Sequence, residues 1–176
     1  MAHNNIEIKA KHDNINQIRY LLKQNNAKFI GEDHQIDTYF KVPSGRLKIR
    51  EGNIENSLIH YERDNNKGPK HSKVILINLE SKSDLKEIFM KIFGSLVVVD
   101  KKREIYFIDN VKFHIDSVKG LGKFIEIEAI DKKGNIELGK LKEQCNKYID
   151  LFKIENKNMI KKSYSDLLLE NTSKKK

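Results

Sequence analysis

The sequence contains one cysteine, two prolines and no tryptophan among its 176 residues. A single cysteine, Cys145, excludes an internal disulfide, and its place in an amphipathic helical pattern predicts a small core residue and not a reactive thiol. No stretch rich in proline or glycine marks a boundary between domains. We therefore expect one domain over residues 1–170, followed by a basic tail over residues 171–176 that ends in three lysines.

Long hydrophobic runs are also missing. No segment approaches the roughly 20 apolar residues that span a bilayer, and the first residues have neither a cationic leader nor an apolar run. We therefore expect a cytoplasmic protein without a membrane partner. The 34 Lys and Arg exceed the 25 Asp and Glu, which gives a net charge of +9. This excess favours a polyanionic partner, but it does not say which one.

Several familiar site motifs are absent. There is no GxxxxGK[ST] phosphate loop, no GxSxG nucleophile turn and no paired CxxC. The Gly-Leu-Gly at residues 120–122 lacks the third glycine of a dinucleotide fingerprint, and we interpret it as a hairpin turn. The six histidines show no zinc spacing, so ordinary hydrogen-bonding or surface roles are favoured for most of them.

Alternation of apolar and polar residues predicts many short strands and few helices. We predict strands at residues 5–11, 27–33, 36–42, 45–51, 56–63, 72–79, 95–108, 111–118 and 123–130. Asp13 is expected to cap a first helix, a second helix is predicted at 83–93, a third carries Leu138 to Phe152, and a short fourth covers 160–169. This order indicates an α+β fold, and closing the sheet would remove its exposed edges.

The polar faces of these strands are sorted by sign. Arg46, Lys48 and Arg50 share one face and lie about 7 Å apart along their strand, because alternate residues point the same way. By the same parity, Lys101 pairs with Arg103, His114 with Asp116, and Glu126 with Glu128. Any one such face could simply be solvated. Together, strands carrying only cations and strands carrying only carboxylates predict a charged cavity that holds a triphosphate and a hard divalent cation.

The segments NIEIKA, QIDTYFKVPSGRLKIRE, KKREIYF and HIDSVKGLGKFIEIEA, with SYSDLL near the end, resemble the CYTH superfamily of triphosphate tunnel metalloenzymes. Within it they are most similar to class IV adenylyl cyclase-like proteins. The resemblance covers most of residues 5–169. It implies a closed barrel of eight antiparallel strands with helices packed outside, whose tunnel binds a triphosphate through basic residues and Mg²⁺ or Mn²⁺ through acidic residues.

The resemblance also implies roles for particular residues. The family's E-x-E-x-K motif is represented by Asn5, Glu7 and Lys9, so its first acid is replaced by an amide. The implied triphosphate-binding residues are Lys9, Arg46, Lys48, Arg50, Arg63, Lys73, Lys101 and Arg103, of which Lys9, Arg50, Lys101 and Arg103 are also implied to be catalytic. The implied metal ligands are Glu7, Asp116, Glu126 and Glu128. The strand parity leaves Glu62 and Lys70 undecided between tunnel and surface.

Three functions remain open at this stage. Cyclisation of ATP to cyclic AMP and pyrophosphate is favoured by the similarity, and hydrolysis of inorganic, thiamine or nucleoside triphosphate would use the same residues. The third is a non-catalytic protein that binds polyphosphate, nucleotide or RNA. For an enzyme, we expect a nucleoside or inorganic triphosphate as the partner, with Mg²⁺ or Mn²⁺ as cofactor. We do not expect nucleic acid, and we include a homodimer among the expected assemblies.

Overall fold

A computed structural model describes residues 2–63, 68–80 and 83–173. The strands are β1 (Ala2–Lys11), β2 (Lys28–Phe40), β3 (Arg46–Glu51), β4 (Ser57–Arg63), β5 (Lys70–Asn78), β6 (Ser95–Ile108), β7 (Val111–Val118) and β8 (Gly122–Asp131). The helices are α1 (Ile15–Gln24), α2 (Leu85–Phe93), α3 (Leu138–Leu151) and α4 (Tyr164–Ser173), and a short 3₁₀ helix covers Asn156–Asn158. Helix α4 includes the first three residues of the predicted tail, whose three lysines lie outside the described residues.

The eight strands close into an antiparallel barrel in the order β1-β5-β4-β3-β2-β6-β7-β8. This confirms the predicted fold. The two strands predicted at 27–33 and 36–42 are one strand, β2. His34 and Gln35 between them stay in register with Lys102 and Lys101 of β6, and no proline or glycine interrupts that stretch.

Helices α1 and α3 cover the outer face of β1, β7 and β8. Helix α1 is capped by Asn14, one residue after the predicted cap, because the Asn14 side chain accepts a hydrogen bond of 3.1 Å from the backbone of Gln17. Cys145 of α3 is buried as predicted and donates through Sγ to the carbonyl of Ile6. Burial raises the pKa of its thiol to about 12, which makes it a poor nucleophile.

Helix α2 packs on the other side of the barrel, where Phe89 meets Phe40 edge to face at 5.5 Å. Helix α4 begins at Tyr164, four residues later than predicted. The preceding chain is extended because it pairs with the barrel. Ile160 donates to the carbonyl of Lys9, and Met159 forms a bridge with Ala10. The segment that leads into α4 therefore lies at one end of the barrel.

Among the described residues, no helix combines the length and apolar character needed to cross a membrane.

Candidate active site

The barrel encloses a cavity of about 660 Å³. Alternate residues of all eight strands line it, joined by the loop after β3 and by Ser163 and Tyr164. Nine of the side chains implied by the resemblance lie in this lining: Glu7, Lys9, Lys48, Arg50, Arg63, Lys101, Arg103, Glu126 and Glu128. The strand period therefore brings together charges that are far apart in the sequence.

The strand register places opposite charges side by side. Asp37 is the direct cross-strand partner of Arg50, Lys9 of Glu126, and Arg103 of Asp116. Directly opposed residues in antiparallel strands have Cβ atoms about 4.5–5.5 Å apart, which suits an ion pair. These three ion pairs therefore follow from the register of the sheet.

Asp37 of β2 is the centre of one of these ion-pair groups. It is 2% exposed and accepts hydrogen bonds from Lys48 Nζ at 2.7 Å, Lys101 Nζ at 2.7 Å and Arg50 Nε at 2.9 Å. Burial alone would raise the pKa of Asp37, but Arg50, Lys101 and Lys48 hold it well below its usual range. Burial lowers the pKa of Lys101 to about 7, despite the attraction of Asp37. One carboxylate thus serves as counter-ion for three cations.

A second group of charges joins β1, β6, β7 and β8. Arg103 donates to Asp116 at 2.7 Å and also to Glu126, while Lys9 pairs with Glu126 and lies 3.8 Å from the centre of the Tyr164 ring. Tyr164 donates its hydroxyl to Asp116 at 2.7 Å. Burial would raise the pKa of Glu126, but Lys9 and Arg103 hold it well below the ordinary value. The start of α4 is therefore tied to the interior of the barrel.

An imidazole and two carboxylates meet on β7 and β8. His114 Nδ1 lies 3.2 Å from Glu126 and 3.5 Å from Glu128. Each of the three residues offers a ligand atom, and these atoms lie within 4.8 Å of one another. Burial, reinforced by Arg103 and Lys112, lowers the pKa of His114 to about 3, so its ring is neutral. Burial raises the pKa of Glu128 to about 7, and the nearby Glu126 acts in the same direction.

The loop between β3 and β4 adds one more carboxylate to the lining. Asp33 of β2 is fully buried and accepts hydrogen bonds from the backbone of Ile54 at 2.9 Å and Glu55 at 3.0 Å. This holds Glu55 over the cavity, where it pairs with Arg50 at 3.0 Å and with Lys112. A Cβ on Gly52 would lie 2.6 Å from Asp33, so glycine is needed for this close approach.

The CYTH domain family matches residues 3–164 of this chain. The chain belongs to the CYTH domain family. A Methanocaldococcus jannaschii protein named "Putative adenylate cyclase MJ0240" is 32% identical over 92% of this chain and 97% of its own length. Among solved structures, the PH1012 protein from Pyrococcus horikoshii has a TM-score of 0.76 at 23% identity, over 93% of this chain and 98% of that one. A Vibrio parahaemolyticus protein titled "putative adenylate cyclase" has a TM-score of 0.75 at 20% identity, over 93% and 97% of the two chains.

Three of the predicted site residues in this CYTH domain do not line the cavity. Lys73 is exposed on the outer face of β5, because Ser72 and Val74 take the inward positions. Arg46 lies on the same face of β3 as Lys48 and Arg50, but it is beyond the cavity and pairs with Asp166 of α4 at 2.9 Å. Asp116 is buried beneath the lining, held by Arg103 and Tyr164. The prediction that Lys73 lies in the tunnel is therefore wrong. Arg46 and Asp116 do not reach the cavity themselves but contact residues that line or flank it.

The undecided residues of the CYTH domain are now placed. Glu62 is exposed on the outer face of β4. Lys70 is 1% exposed and donates to the backbone carbonyls of Ile160 at 2.7 Å and Lys161 at 3.1 Å. Lys70 therefore holds the segment that leads into α4 against β5. Glu7, an implied metal ligand, lines the cavity but pairs with Arg63 at 2.7 Å.

Several lining residues are not among those predicted from the sequence: Asp37, Tyr39, Glu55, Tyr61, Lys112, His114 and Tyr164. His114 shares a strand face with Asp116, which is a signal in the sequence, but the histidines have no zinc spacing that would single it out. Asp37 and Tyr39 lie within the segment that carried the resemblance. Glu55 had no signal, because it lies in a loop whose position depends on the buried Asp33.

Proposed function

We propose that this CYTH domain binds a nucleoside triphosphate with a divalent metal inside its barrel and converts ATP to cyclic AMP and pyrophosphate. The observation that carries the proposal is the convergence of Lys48, Arg50 and Lys101 on the single carboxylate of Asp37. In this enclosed cavity the three cations carry more positive charge than one carboxylate can neutralise, so the excess can attract a larger anion. A triphosphate chain presents several charged oxygens to such a group.

The lining favours a nucleoside triphosphate over an inorganic one. Besides the charged side chains, the cavity has an apolar wall on β4 and β5, formed by Ile59, Tyr61, Val74 and Leu76. Inorganic triphosphate has no apolar surface to place against this wall, whereas a nucleobase has one. A volume of about 660 Å³ also falls within the range of roughly 300–1,000 Å³ typical of small-molecule sites.

The cations of the cavity would act on the phosphates. In cyclisation, the ribose 3′-hydroxyl attacks the α-phosphorus, the bond to the β-phosphate oxygen breaks, and the hydroxyl proton passes to a carboxylate of the cavity. We assign stabilisation of the developing charge to Lys9, Arg50, Lys101 and Arg103, which lie in the lining with their charged groups fixed by ion pairs. For these cations to reach the phosphates, they must exchange internal carboxylates for ligand oxygens.

The residues present fit the divalent metal that the family implies. His114, Glu126 and Glu128 are close enough to share one ion, and Nε2 of His114 has no hydrogen-bond partner in the part of the chain that the structure describes. A metal bound there would supply Lewis-acid stabilisation of phosphoryl oxygens. Glu7 and Asp116, the other implied ligands, stay predictions, because each is held by an arginine.

A product assay tests the proposal. Purified protein is incubated with ATP, tripolyphosphate or thiamine triphosphate, with and without Mg²⁺ or Mn²⁺, and the products are separated by chromatography. We expect cyclic AMP and pyrophosphate from ATP, only with metal, and much less product from Arg50→Ala. Lys73→Ala is the matched control, because it removes a cation from the outer face and should leave the activity unchanged.

Two outcomes would contradict the proposal. Formation of ADP and phosphate from ATP without cyclic AMP would assign the site to hydrolysis, in which water attacks the terminal phosphorus. Binding of ATP without product under any metal condition would assign it to a non-catalytic role. All three functions would use the same cavity, so only the identity of the products separates them.

A further inference from the structure

A row of three polar side chains crosses one wall of the cavity. Asn5 of β1 lies directly opposite Ser72 of β5, and Ser72 lies directly opposite Arg63 of β4. All three residues line the cavity. They are also deeply buried, with Asn5 6% exposed, Ser72 1% and the Arg63 side chain 3%. We call these three residues the polar row.

The polar row has several hydrogen-bonding atoms without partners. Within the described residues, eight buried side-chain nitrogen or oxygen atoms lack a hydrogen-bond partner, and four of them belong to this row. They are Oδ1 of Asn5, Oγ of Ser72, and Nε and Nη2 of Arg63. Buried polar atoms without partners are rare in native proteins and call for an explanation. Their concentration on three neighbouring residues of the cavity wall points to a ligand that completes their hydrogen bonds.

The polar row borders the apolar wall of the cavity. Tyr61 and Val74 are opposed to each other across β4 and β5, and each lies two residues from a member of the row on the same strand. Alternate residues of a strand share one face, so the apolar pair and the polar row form one continuous surface. A flat ring packed against Tyr61 and Val74 would therefore turn an edge towards Asn5, Ser72 and Arg63.

The unpartnered atoms decide what that edge must offer. Oδ1 of Asn5 can only accept a hydrogen bond, whereas Nε and Nη2 of Arg63 can only donate. Nη1 of Arg63 is already engaged with Glu7 at 2.7 Å. Ionised phosphate oxygens only accept, so a phosphate would leave Oδ1 of Asn5 without a donor. Adenine carries a 6-amino group that donates beside a ring nitrogen that accepts, and it can satisfy both ends of the row.

We propose that Asn5 determines the base specificity of this site by accepting a hydrogen bond from the 6-amino group of adenine, with Arg63 donating to a ring nitrogen and Ser72 between them. The inference rests on the proposed function for the choice of a nucleoside triphosphate and adds the residues that recognise its base. Asn5 replaces the first acid of the family motif, so it brings no charge to a metal and its neutral amide suits a neutral base.

A comparison of two nucleotides tests this in the parent protein. Binding of ATP and of purine riboside triphosphate, which lacks only the 6-amino group, is measured by calorimetry with a chelator present so that neither nucleotide is consumed. We expect ATP to bind at least about tenfold more tightly, because the analogue leaves the buried Oδ1 of Asn5 without a donor. Equal affinities, or tighter binding of GTP than of ATP, would overturn the proposal.

Variants at position 5 assign the effect to one atom. In Asn5→Ala the preference for ATP over the analogue should fall to about twofold or less, while the affinity for tripolyphosphate stays the same. Asn5→Asp keeps an accepting oxygen, so it should keep the preference even though its charge weakens both nucleotides alike. Asn4→Ala is the matched control, since Asn4 lies on the outer face of the same strand and contacts His71 at 2.9 Å.

The remaining outcomes separate this proposal from the proposed function. A full preference for ATP in Asn5→Ala, or an equal loss of nucleotide and tripolyphosphate affinity in that variant, would show that Asn5 does not recognise the base. If the parent still converts ATP to cyclic AMP when either result is found, the proposed function stands and only the role of Asn5 fails. Failure of the parent to bind any of these nucleotides would overturn both.

Discussion

Replacing Asp37 by Asn should weaken the fold and strengthen the response to triphosphate. The substitution keeps the shape of the side chain but removes the charge that balances Lys48, Arg50 and Lys101. Those three cations are at most 9% exposed, so water cannot take over the role of Asp37. The variant therefore carries uncompensated positive charge that an anionic ligand can neutralise.

The size of the effect follows from the contacts. Removing one partner of a buried ion pair costs about 3–5 kcal/mol. Arg50 keeps its contact with Glu55, and Lys101, whose pKa is already lowered to about 7 by burial, can release its proton, so we expect the lower end, about 3 kcal/mol. For a domain of this length, each kcal/mol shifts the melting temperature by about 2–4 °C, which gives a fall of about 6–12 °C.

Thermal melting in low-salt buffer, with and without tripolyphosphate, measures both effects. The ligand should raise the melting temperature of Asp37→Asn by more than that of the parent, because binding no longer has to displace an internal carboxylate. Asp100→Asn is the control, since Asp100 forms partly exposed surface pairs and should change stability by about 1 kcal/mol or less. A variant that melts within about 2 °C of the parent, or that gains less from tripolyphosphate, would refute the reasoning.

Three further predictions concern the same cavity. Arg50→Ala should weaken tripolyphosphate binding about ten- to a hundredfold by calorimetry, because a charge-assisted contact contributes about 1.5–3 kcal/mol. The control Lys73→Ala should leave the affinity unchanged. Equal losses of affinity in the two variants would show that Arg50 does not bind the ligand. Burial lowers the pKa of Lys101 to about 7; Asp37 opposes this shift, and the nearby cations Arg50, Arg103 and Lys48 reinforce it. Above pH 7 the lysine must therefore take up a proton in order to bind a phosphate. The affinity for triphosphate should then fall by up to about tenfold per pH unit. Lys101→Arg sees the same ligand ionisation and should lack that extra fall; parallel pH profiles would disprove it. Asn5→Asp should lower the Mg²⁺ concentration needed for half-maximal turnover if position 5 is a metal position, and an unchanged requirement would show that it is not.

The barrel and most of its lining could be predicted from strand parity. Lys48 and Arg50 of β3, like Lys101 and Arg103 of β6, lie at alternate positions and so share one face of their strand. A charged face cannot be buried in an apolar core, so it must face either solvent or a polar interior. Some strands carry only cations on this face and others only carboxylates, which favours a charged interior over a solvated surface. This inference needs only the period of each strand, and all four side chains lie in the cavity lining.

The resemblance implied the wrong face for Lys73, because β5 carries the reverse pattern of polar and apolar residues. In β5 the inward positions include Val74 and Leu76, while Lys73, Ile75 and Ile77 lie on the outer face, two of them apolar and about half exposed. Lys73 therefore lies outside the cavity. The apolar wall that displaced Lys73 from the lining is the same wall that favours a nucleoside over inorganic triphosphate.

The ion-pair partners could not be predicted, because they depend on pairing between distant strands. Asp37 acquires its role only when β2 lies between β3 and β6, which brings it to Arg50 and Lys101. His114 reaches Glu126 through the register of β7 and β8 and not through any fixed sequence spacing. Metal-ligand motifs that rely on spacing along one helix or loop therefore miss a site built across a sheet.

The pairing of charges inside the barrel explains how the same residues can serve both folding and binding. A cavity lined by cations alone would oppose its own closure, since buried charges without partners cost several kcal/mol each. Asp37 and Glu126 remove that cost by holding Lys48, Arg50, Lys101, Lys9 and Arg103 in fixed positions while no ligand is present. A triphosphate must then compete with these carboxylates, so its affinity reflects an exchange of counter-ions and not the full attraction of the cations. If Glu126 held a metal ion, Lys9 would lose its carboxylate partner and could contact the phosphates, whereas Arg103 would stay paired with Asp116. The ion and the triphosphate would thereby favour each other's binding.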